Sequence, residues 1–225
     1  MAHGYFITGT DTDSGKTVVT LGLMQRLQSR GLRVLGMKPV AAGAEQTDAG
    51  LRNDDALRLQ AQASCSLAYE QINPYCFAPP IAPHLAAEQA EQMIDFLEIG
   101  RCFGQLANGA DRVLVEGAGG WRVPLGAGRT MADLALALDL PVILVVGLRL
   151  GCINHALLSA ESIRASGGRL AGWIGNQVDP AMQEREANTE TLQQWLDAPC
   201  LGLVPWLARP TPQAVSDCLR PPGEF

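Results

Sequence analysis

Two short runs, Val113-Leu114-Val115 and Val142-Ile143-Leu144-Val145-Val146, are apolar at every position. A strand with one wet face alternates polar and apolar residues, whereas a strand that is apolar throughout must be covered on both faces. Around these runs the chain alternates strand-like and helical patterns. Strands are expected near 5–8, 33–40, 112–116, 141–147, 170–177 and 200–204, with a short strand or extended piece at 72–77. Helices are expected near 16–29, 54–63, 85–92, 94–106, 153–166 and 182–195. This alternation predicts an α/β fold: a doubly wound, mainly parallel sheet with helices on both faces. Hydrophobic residues make up 47% of the 225, enough for a large core. No repeat or linker divides the chain, so a single domain over 1–225 is expected. The stretches 41–53 and 117–130 read as long working loops.

The formal charge of −6 disfavours general nucleic-acid binding, because an acidic surface repels phosphate backbones. The longest apolar stretch, 134–151, is broken by Asp139, Pro141 and Arg149 and does not read as a membrane span. Six cysteines show no CxxC pair and no ligand-spaced histidine, so no structural zinc is expected. With no basic segment or apolar signal core ahead of the first strand, a reduced cytoplasmic protein with free, mostly buried thiols is expected. Of the 17 basic residues fifteen are arginine, and the two lysines are Lys16 and Lys38.

Directly after the first expected strand comes Gly9-Thr10-Asp11-Thr12-Asp13-Ser14-Gly15-Lys16-Thr17, and a helix opens at its end. A loop in that place can aim backbone N–H groups and a helix N-terminus at a polyphosphate, which points to nucleotide binding and a P-loop NTPase-like architecture. Gly15 allows close approach, Lys16 supplies charge and the Thr17 hydroxyl can ligate a metal. The spacing is unusual: five residues separate Gly9 from Gly15, where the common motif has four.

Parallel sheets hold ligands at the carboxyl ends of their strands. Lys38, Glu116, the 147–154 segment, Asn176 and the Pro205-Trp206-Leu207 turn all fall at such ends, and the site is expected to be locally positive. Glu116 reads either as a Mg²⁺ ligand or water-mediated metal partner, or as a cap. Asp54 and Asp55 precede a helix, and one or both can simply cap it. Gly151-Cys152-Ile153-Asn154-His155 opens a helix that could hold an anion. His84, His155 and Cys152 sit in no base–nucleophile pattern and read as structural.

These blocks resemble the dethiobiotin synthetase family. The resemblance is carried by Gly9-Thr10-Asp11-Thr12-(acid)-x-Gly15-Lys16-Thr17, Lys38-Pro39-Val40, Gly50-Leu51-Arg52-Asn53-x-Asp55, Val115-Glu116-Gly117-Ala118-Gly119-Gly120 and Leu150-Gly151-Cys152-Ile153-Asn154-His155. Ala171-Gly172-Trp173 leading to Asn176, and Gly202-x-x-Pro205-Trp206, extend it, so the blocks run in order from about 5 to 207. The resemblance implies an ATP- and Mg²⁺-dependent cyclo-ligase of biotin biosynthesis, closing the ureido ring of dethiobiotin from 7,8-diaminononanoate and CO₂. An N-carbamate would be phosphorylated by ATP, and the second amine would displace phosphate. By that likeness Asp13, Ser14, Gly15, Lys16, Thr17 and Val18 contact ATP, with Gly117, Ala118, Gly119, Asn176, Gln177, Pro205, Trp206 and Leu207. Thr17, Asp55 and Glu116 organise Mg²⁺; Lys16, Lys38 and Thr12 serve the reacting groups. Thr12, Lys38, Ala42, Gly151, Cys152, Ile153 and Asn154 meet the substrate, with 151–154 coming from the partner of a homodimer. Two positions depart from the family pattern: Ala42 stands where a small hydroxyl residue is usual, and Asp13 where a longer Glu is common. The rival reading is a P-loop ATPase switch of the partition or site-selection kind, whose loop usually carries an extra lysine where this chain has Thr10 and Asp11. A second rival, an ATP-dependent amide-forming synthase, normally brings a glutamine-hydrolysing domain for which this sequence leaves no room.

Overall fold

A computed structural model describes residues 4–221. Six strands form one sheet: β1 (Gly4–Gly9), β2 (Val34–Met37), β3 (Arg112–Gly120), β4 (Val142–Leu148), β5 (Leu170–Gln177) and β6 (Cys200–Val204). Their spatial order is β6-β5-β4-β1-β3-β2, and every pairing is parallel. All seven residues of β4 are buried, as an uninterrupted apolar run requires.

Successive side chains point to opposite faces, and the core divides accordingly. Phe6, Val113, Val115, Leu144 and Val146 pack on one face against the helices Phe96–Asn108, Met131–Ala137 and Cys152–Ala165. Ile7, Leu114, Ile143 and Val145 pack on the other against Lys16–Gln28, Asp54–Gln62 and Pro212–Ser216. The chain leaves β1 toward β2 and leaves β4 toward β5, in opposite directions. A crevice therefore opens at the carboxyl ends of β1 and β4, the usual ligand position in such sheets.

The main strands and most helices fall where expected; the connections differ. The expected strand at 33–40 breaks after Met37, because Pro39 has no N–H to continue a ladder. Val40–Ala42 instead pairs with Tyr75–Phe77 in a separate two-stranded sheet, behind a short helix at Tyr69–Ile72. The stretch 41–53 is not one loop, since Glu45–Thr47 and Gly50–Arg52 form a hairpin. Likewise β3 runs on to Gly120, and Pro124–Gly126 pairs with Arg129–Thr130. The helices Met131–Ala137 and Pro212–Ser216 were not expected. The second depends on Gly22, where a Cβ would fall 2.3 Å from a methyl of Val215. The helix expected from 182 starts at Arg185. All six cysteines are free, but only Cys102 and Cys152 are buried, so the thiols are less enclosed than expected. Among the described residues no helix is long and apolar enough to cross a membrane.

Candidate active site

The segment from Gly9 to Thr17 folds over the end of β1. The Thr10 N–H donates to the Val145 carbonyl at 2.9 Å, tying the loop to β4. Gly15 has φ +85°, and a Cβ there would lie 2.0 Å from Asn176 Nδ2. That amide donates to the Ser14 carbonyl at 3.0 Å. Asn176, at the end of β5, thus supports the loop from behind. Lys16 Nζ donates to the Asp11 carbonyl at 2.9 Å, while the Asp11 carboxylate pairs with Arg149. Burial, reinforced by the nearby Lys38 ammonium, brings Lys16 down to about 8.

Lys38 stands one residue beyond β2, buried between two carboxylates. Its Nζ donates to Glu116 Oε1 at 2.6 Å and to Asp55 Oδ2 at 3.0 Å. Burial alone would lower its pKa, but the two carboxylates outweigh that and hold it above its ordinary value. Burial would in turn raise Asp55, and the Lys38 ammonium with the Thr17 hydrogen bond holds it below the usual carboxylate value. Thr17 Oγ1 lies 2.7 Å from Asp55 Oδ1 and 2.8 Å from Glu116 Oε1. Its one proton can serve only one of them. Glu116 is 0% exposed, and its Oε2 has no hydrogen-bond partner among the described residues. The expectation of a locally positive site is corrected here: Lys16 and Lys38 are matched by Asp55 and Glu116.

The helix carrying Asp55 shows which residue caps it. Asn53 is the N-cap, its side chain accepting from the Ala56 N–H at 3.3 Å. Asp54 is exposed and stands 4.0 Å from Arg58. Asp55 is thereby left to face Lys38 and Thr17. Glu116 is no cap either, since it lies within β3.

One open cavity of about 720 Å³ gathers Thr12, Asp13, Gly15, Lys16, Thr17, Val18, Lys38, Ala42, Asp55, Glu116, Ala118 and Gly119. Ser14 is buried under the loop, and Gly117 is packed so that a Cβ would come 3.1 Å from the Phe6 ring. Gln177 and Pro205 line a second cavity of about 500 Å³. Gln177 Oε1 accepts from the Trp206 N–H at 3.1 Å and from Arg185 at 2.8 Å, which anchors the turn. Trp206 is half exposed, while Leu207 and Val18 pack against the same core cluster. Gly151, Cys152, Ile153 and Asn154 line neither cavity. Nor do His84 and His155. Sequence reasoning missed Arg58, the Pro80–Pro83 wall and Val123-Pro124, all lining the main cavity. The run of three prolines at 79, 80 and 83 was the one visible signal for that wall.

The family described as the AAA domain matches residues 3–214. The ATP-dependent dethiobiotin synthetase of Chromohalobacter salexigens is 53% identical over 234 aligned residues, covering 98% of each chain. That of Pseudomonas aeruginosa is 54% identical over 222, covering 97% of each. The chain belongs to the dethiobiotin synthetase family. Among solved structures, the MinC:MinD cell division complex of Aquifex aeolicus superposes with a TM-score of 0.59 at 18% identity, covering 96% of this chain and 86% of that one. A ParA family ATPase from Chlorobium tepidum gives 0.57 at 11%, covering 97% and 91%. Those likenesses show a shared P-loop fold. The switch reading draws nothing more from them, since the dethiobiotin synthetases match over nearly the full length at 53–54% identity.

Proposed function

We propose that this protein is an ATP-dependent dethiobiotin synthetase, closing the ureido ring of dethiobiotin from 7,8-diaminononanoate, CO₂ and ATP. The observation that carries the reading is the Lys38 ammonium, set between Asp55 and Glu116 on the floor of the cavity that the phosphate loop overhangs. One substrate amine adds to CO₂ to give a carbamate. A carbamate oxygen attacks the γ-phosphorus of ATP and ADP leaves. The second amine then attacks the carbamoyl carbon, phosphate leaves, and the ring closes. The difficult encounter is anion against anion: carbamate meeting triphosphate. Repulsion between two unit charges 4 Å apart is ~1 kcal/mol in water and ~4 kcal/mol at an effective dielectric near 20. Lys16 and Lys38 oppose it as compact ammonium charges that can follow the transferring group. Thr12, exposed at the rim of the same cavity, meets the reacting groups.

The donor set fits a magnesium ion. The orphaned Glu116 Oε2, the Asp55 carboxylate and the Thr17 hydroxyl are all hard oxygen donors. No group of three or more His, Cys, Asp or Glu is placed to hold a metal ion among the described residues. Magnesium characteristically takes one or two carboxylates and completes its shell with substrate phosphates and water. When bound, it would neutralise phosphate charge. Asn176 and the Pro205, Trp206 and Leu207 turn would hold the adenine.

The protein acts as a homodimer in this reading. Leu150, 93% exposed, and Leu158, 56% exposed beside Gly151–Asn154, support a covered face there with substrate near the interface. Sedimentation giving only monomer at working concentration would contradict the dimer. Six free cysteines support a reducing, cytoplasmic setting. The deciding experiment incubates the protein with Mg-ATP, bicarbonate and 7,8-diaminononanoate and looks for dethiobiotin by mass spectrometry. Absence of product, with ATP hydrolysis stimulated by DNA or lipid instead, would overturn the assignment in favour of a switch ATPase.

A further inference from the structure

Lys38 lies just past the last rung of the β2–β3 ladder, which ends at Met37 opposite Val115. The sheet therefore does not fix its peptide groups. A different segment does. The Lys38 N–H donates to the Ile72 carbonyl at 2.9 Å. The Lys38 carbonyl accepts from Asn73 Nδ2 at 2.6 Å, and the same amide nitrogen donates to the Tyr75 carbonyl at 3.0 Å. Asn73 Oδ1 accepts the Tyr69 hydroxyl proton at 2.9 Å. The Tyr69 oxygen accepts the Asn53 N–H at 2.8 Å. Asn53 is the cap of the helix whose first turn carries Asp55. Asn53, Tyr69 and Asn73 are all buried, and the Arg52 guanidinium covers the Tyr69 ring at 4.1 Å from its centre.

The chain of bonds has a definite sense. Both protons of the Asn73 amide and its oxygen are engaged, so the amide has one orientation. At one end the bridge holds the Lys38 backbone, and at the other it holds the start of the Asp55 helix. The two side chains it supports meet at 3.0 Å on the cavity floor. We propose that Asn73 and Tyr69 are positioning residues for the reaction, fixing Lys38 and Asp55 relative to each other by one buried hydrogen-bonded bridge. Neither lines the cavity, and the pair acts through Lys38 at one end and Asp55 at the other. The inference rests on the reading of Lys38 given above.

Tyr69→Phe removes only the hydroxyl and leaves the ring under Arg52; Asn73→Ser removes the donor to Lys38. Asn73→Ser should lower kcat by about tenfold, and Tyr69→Phe by a smaller factor, with both KM values within about twofold of wild type. In a Lys38→Ala background each change should lower kcat by a clearly smaller factor than in wild type, because one of the two groups they position is gone. A merely structural network would instead cost the same factor in both backgrounds, and that result overturns the proposal. Should Asn73→Ser fail to fold, the Tyr69→Phe cycle decides alone.

A second readout needs no turnover. With only two lysines in the chain, ¹³Cε-lysine labelling gives two resonances, and Lys38→Ala identifies which is Lys38. Tyr69→Phe and Asn73→Ser should shift or broaden that resonance more than that of Lys16. An unmoved Lys38 signal in both variants refutes the bridge, whereas missing dethiobiotin with wild-type protein refutes the enzymatic assignment separately.

Discussion

Gly15→Ala tests how the phosphate loop is built. Gly15 sits at φ +85° and ψ +31°, in the left-handed region. A side chain there costs ~1–2 kcal/mol in backbone strain alone. The added methyl would also lie 2.0 Å from Asn176 Nδ2 and 3.1 Å from its Cγ. The amide must move away, and its bond to the Ser14 carbonyl goes with it. Losing a buried bond of that kind costs ~1–3 kcal/mol, for a total of ~2–5 kcal/mol.

Gly31 supplies the control within the same chain. It has φ +80°, and a Cβ there meets nothing within 4 Å. Gly31→Ala should therefore show the strain term alone, a fall in melting temperature of ~2–8 °C for a chain of this size. ATP affinity, measured by titration calorimetry, should be unchanged in Gly31→Ala and at least about tenfold weaker in Gly15→Ala, because the displaced loop is the one facing phosphate. The decisive comparison adds Asn176→Ala. With the amide removed, the clash disappears, and Gly15→Ala should then cost no more stability than Gly31→Ala does. An equal stability loss for Gly15→Ala with and without the Asn176 side chain would refute the steric account, as would wild-type ATP binding by Gly15→Ala.

Lys38→Ala should retain ATP binding yet lose roughly 100-fold or more in turnover, the scale of removing one aligned donor from a developing charge; unchanged turnover in steady-state assays would end its assigned role. Glu116→Gln should raise the Mg²⁺ concentration giving half-maximal rate by about tenfold or more, and a superimposable Mg²⁺ titration would count against the metal assignment. Lys16, lowered to about 8, is mostly charged at pH 7 and mostly neutral at pH 9, so ATP affinity should weaken by about tenfold across that interval. The sign for stability is opposite: between about 8 and the ordinary value of 10.5 the unfolded chain binds the proton more tightly. Nucleotide-free protein should therefore gain stability as pH rises through that window. A flat affinity profile from pH 7 to 9 would contradict the lowered value.

The sheet was legible because its evidence is local: strands apolar at every position can only be two-sided, and helical periods between them force parallel crossovers. The phosphate loop was legible for the same reason, as strand, glycine, lysine and helix follow one another directly. Position 38 shows where local reading stops. The stretch 33–40 reads as one strand, but the ladder ends at Met37 ahead of Pro39, and the chain passes onto a second, smaller sheet. The helix Met131–Ala137 had a signal in Thr130 and Asp133, whose carboxylate accepts from both the Thr130 N–H and its hydroxyl at 2.7 Å, but the glycines before it made the segment read as loop. The helix Pro212–Ser216 had a start signal in Thr211-Pro212, whose hydroxyl accepts from the Ala214 N–H at 3.2 Å, but its place in the fold depends on a contact with Gly22 across nearly the whole chain. Asp54 and Asp55 were indistinguishable in sequence. What separates them is that Asn53 takes the capping role, and this shows only once the Tyr69 hydroxyl is seen holding its N–H.

A chain with fifteen arginines places its two lysines at the centre of this site, and the geometry explains why arginine would serve badly there. A single Lys38 nitrogen lies against oxygens of two different carboxylates, at 2.6 Å and 3.0 Å. A guanidinium is a flat fork suited to two oxygens of one carboxylate, and it cannot rotate its charge from one neighbour to a third group without breaking both bonds. An ammonium on a four-carbon stem can. The charge count adds a second constraint. Lys16 and Lys38 are balanced by Asp55 and Glu116 before any substrate arrives, so the cavity is stable empty but has no surplus positive charge for a triphosphate. In the proposed reaction a nucleotide that brings its own cation would offset that balance. Glu116 Oε2, unpartnered while Oε1 of the same carboxylate meets Thr17 and Lys38, is the donor the protein would offer that cation.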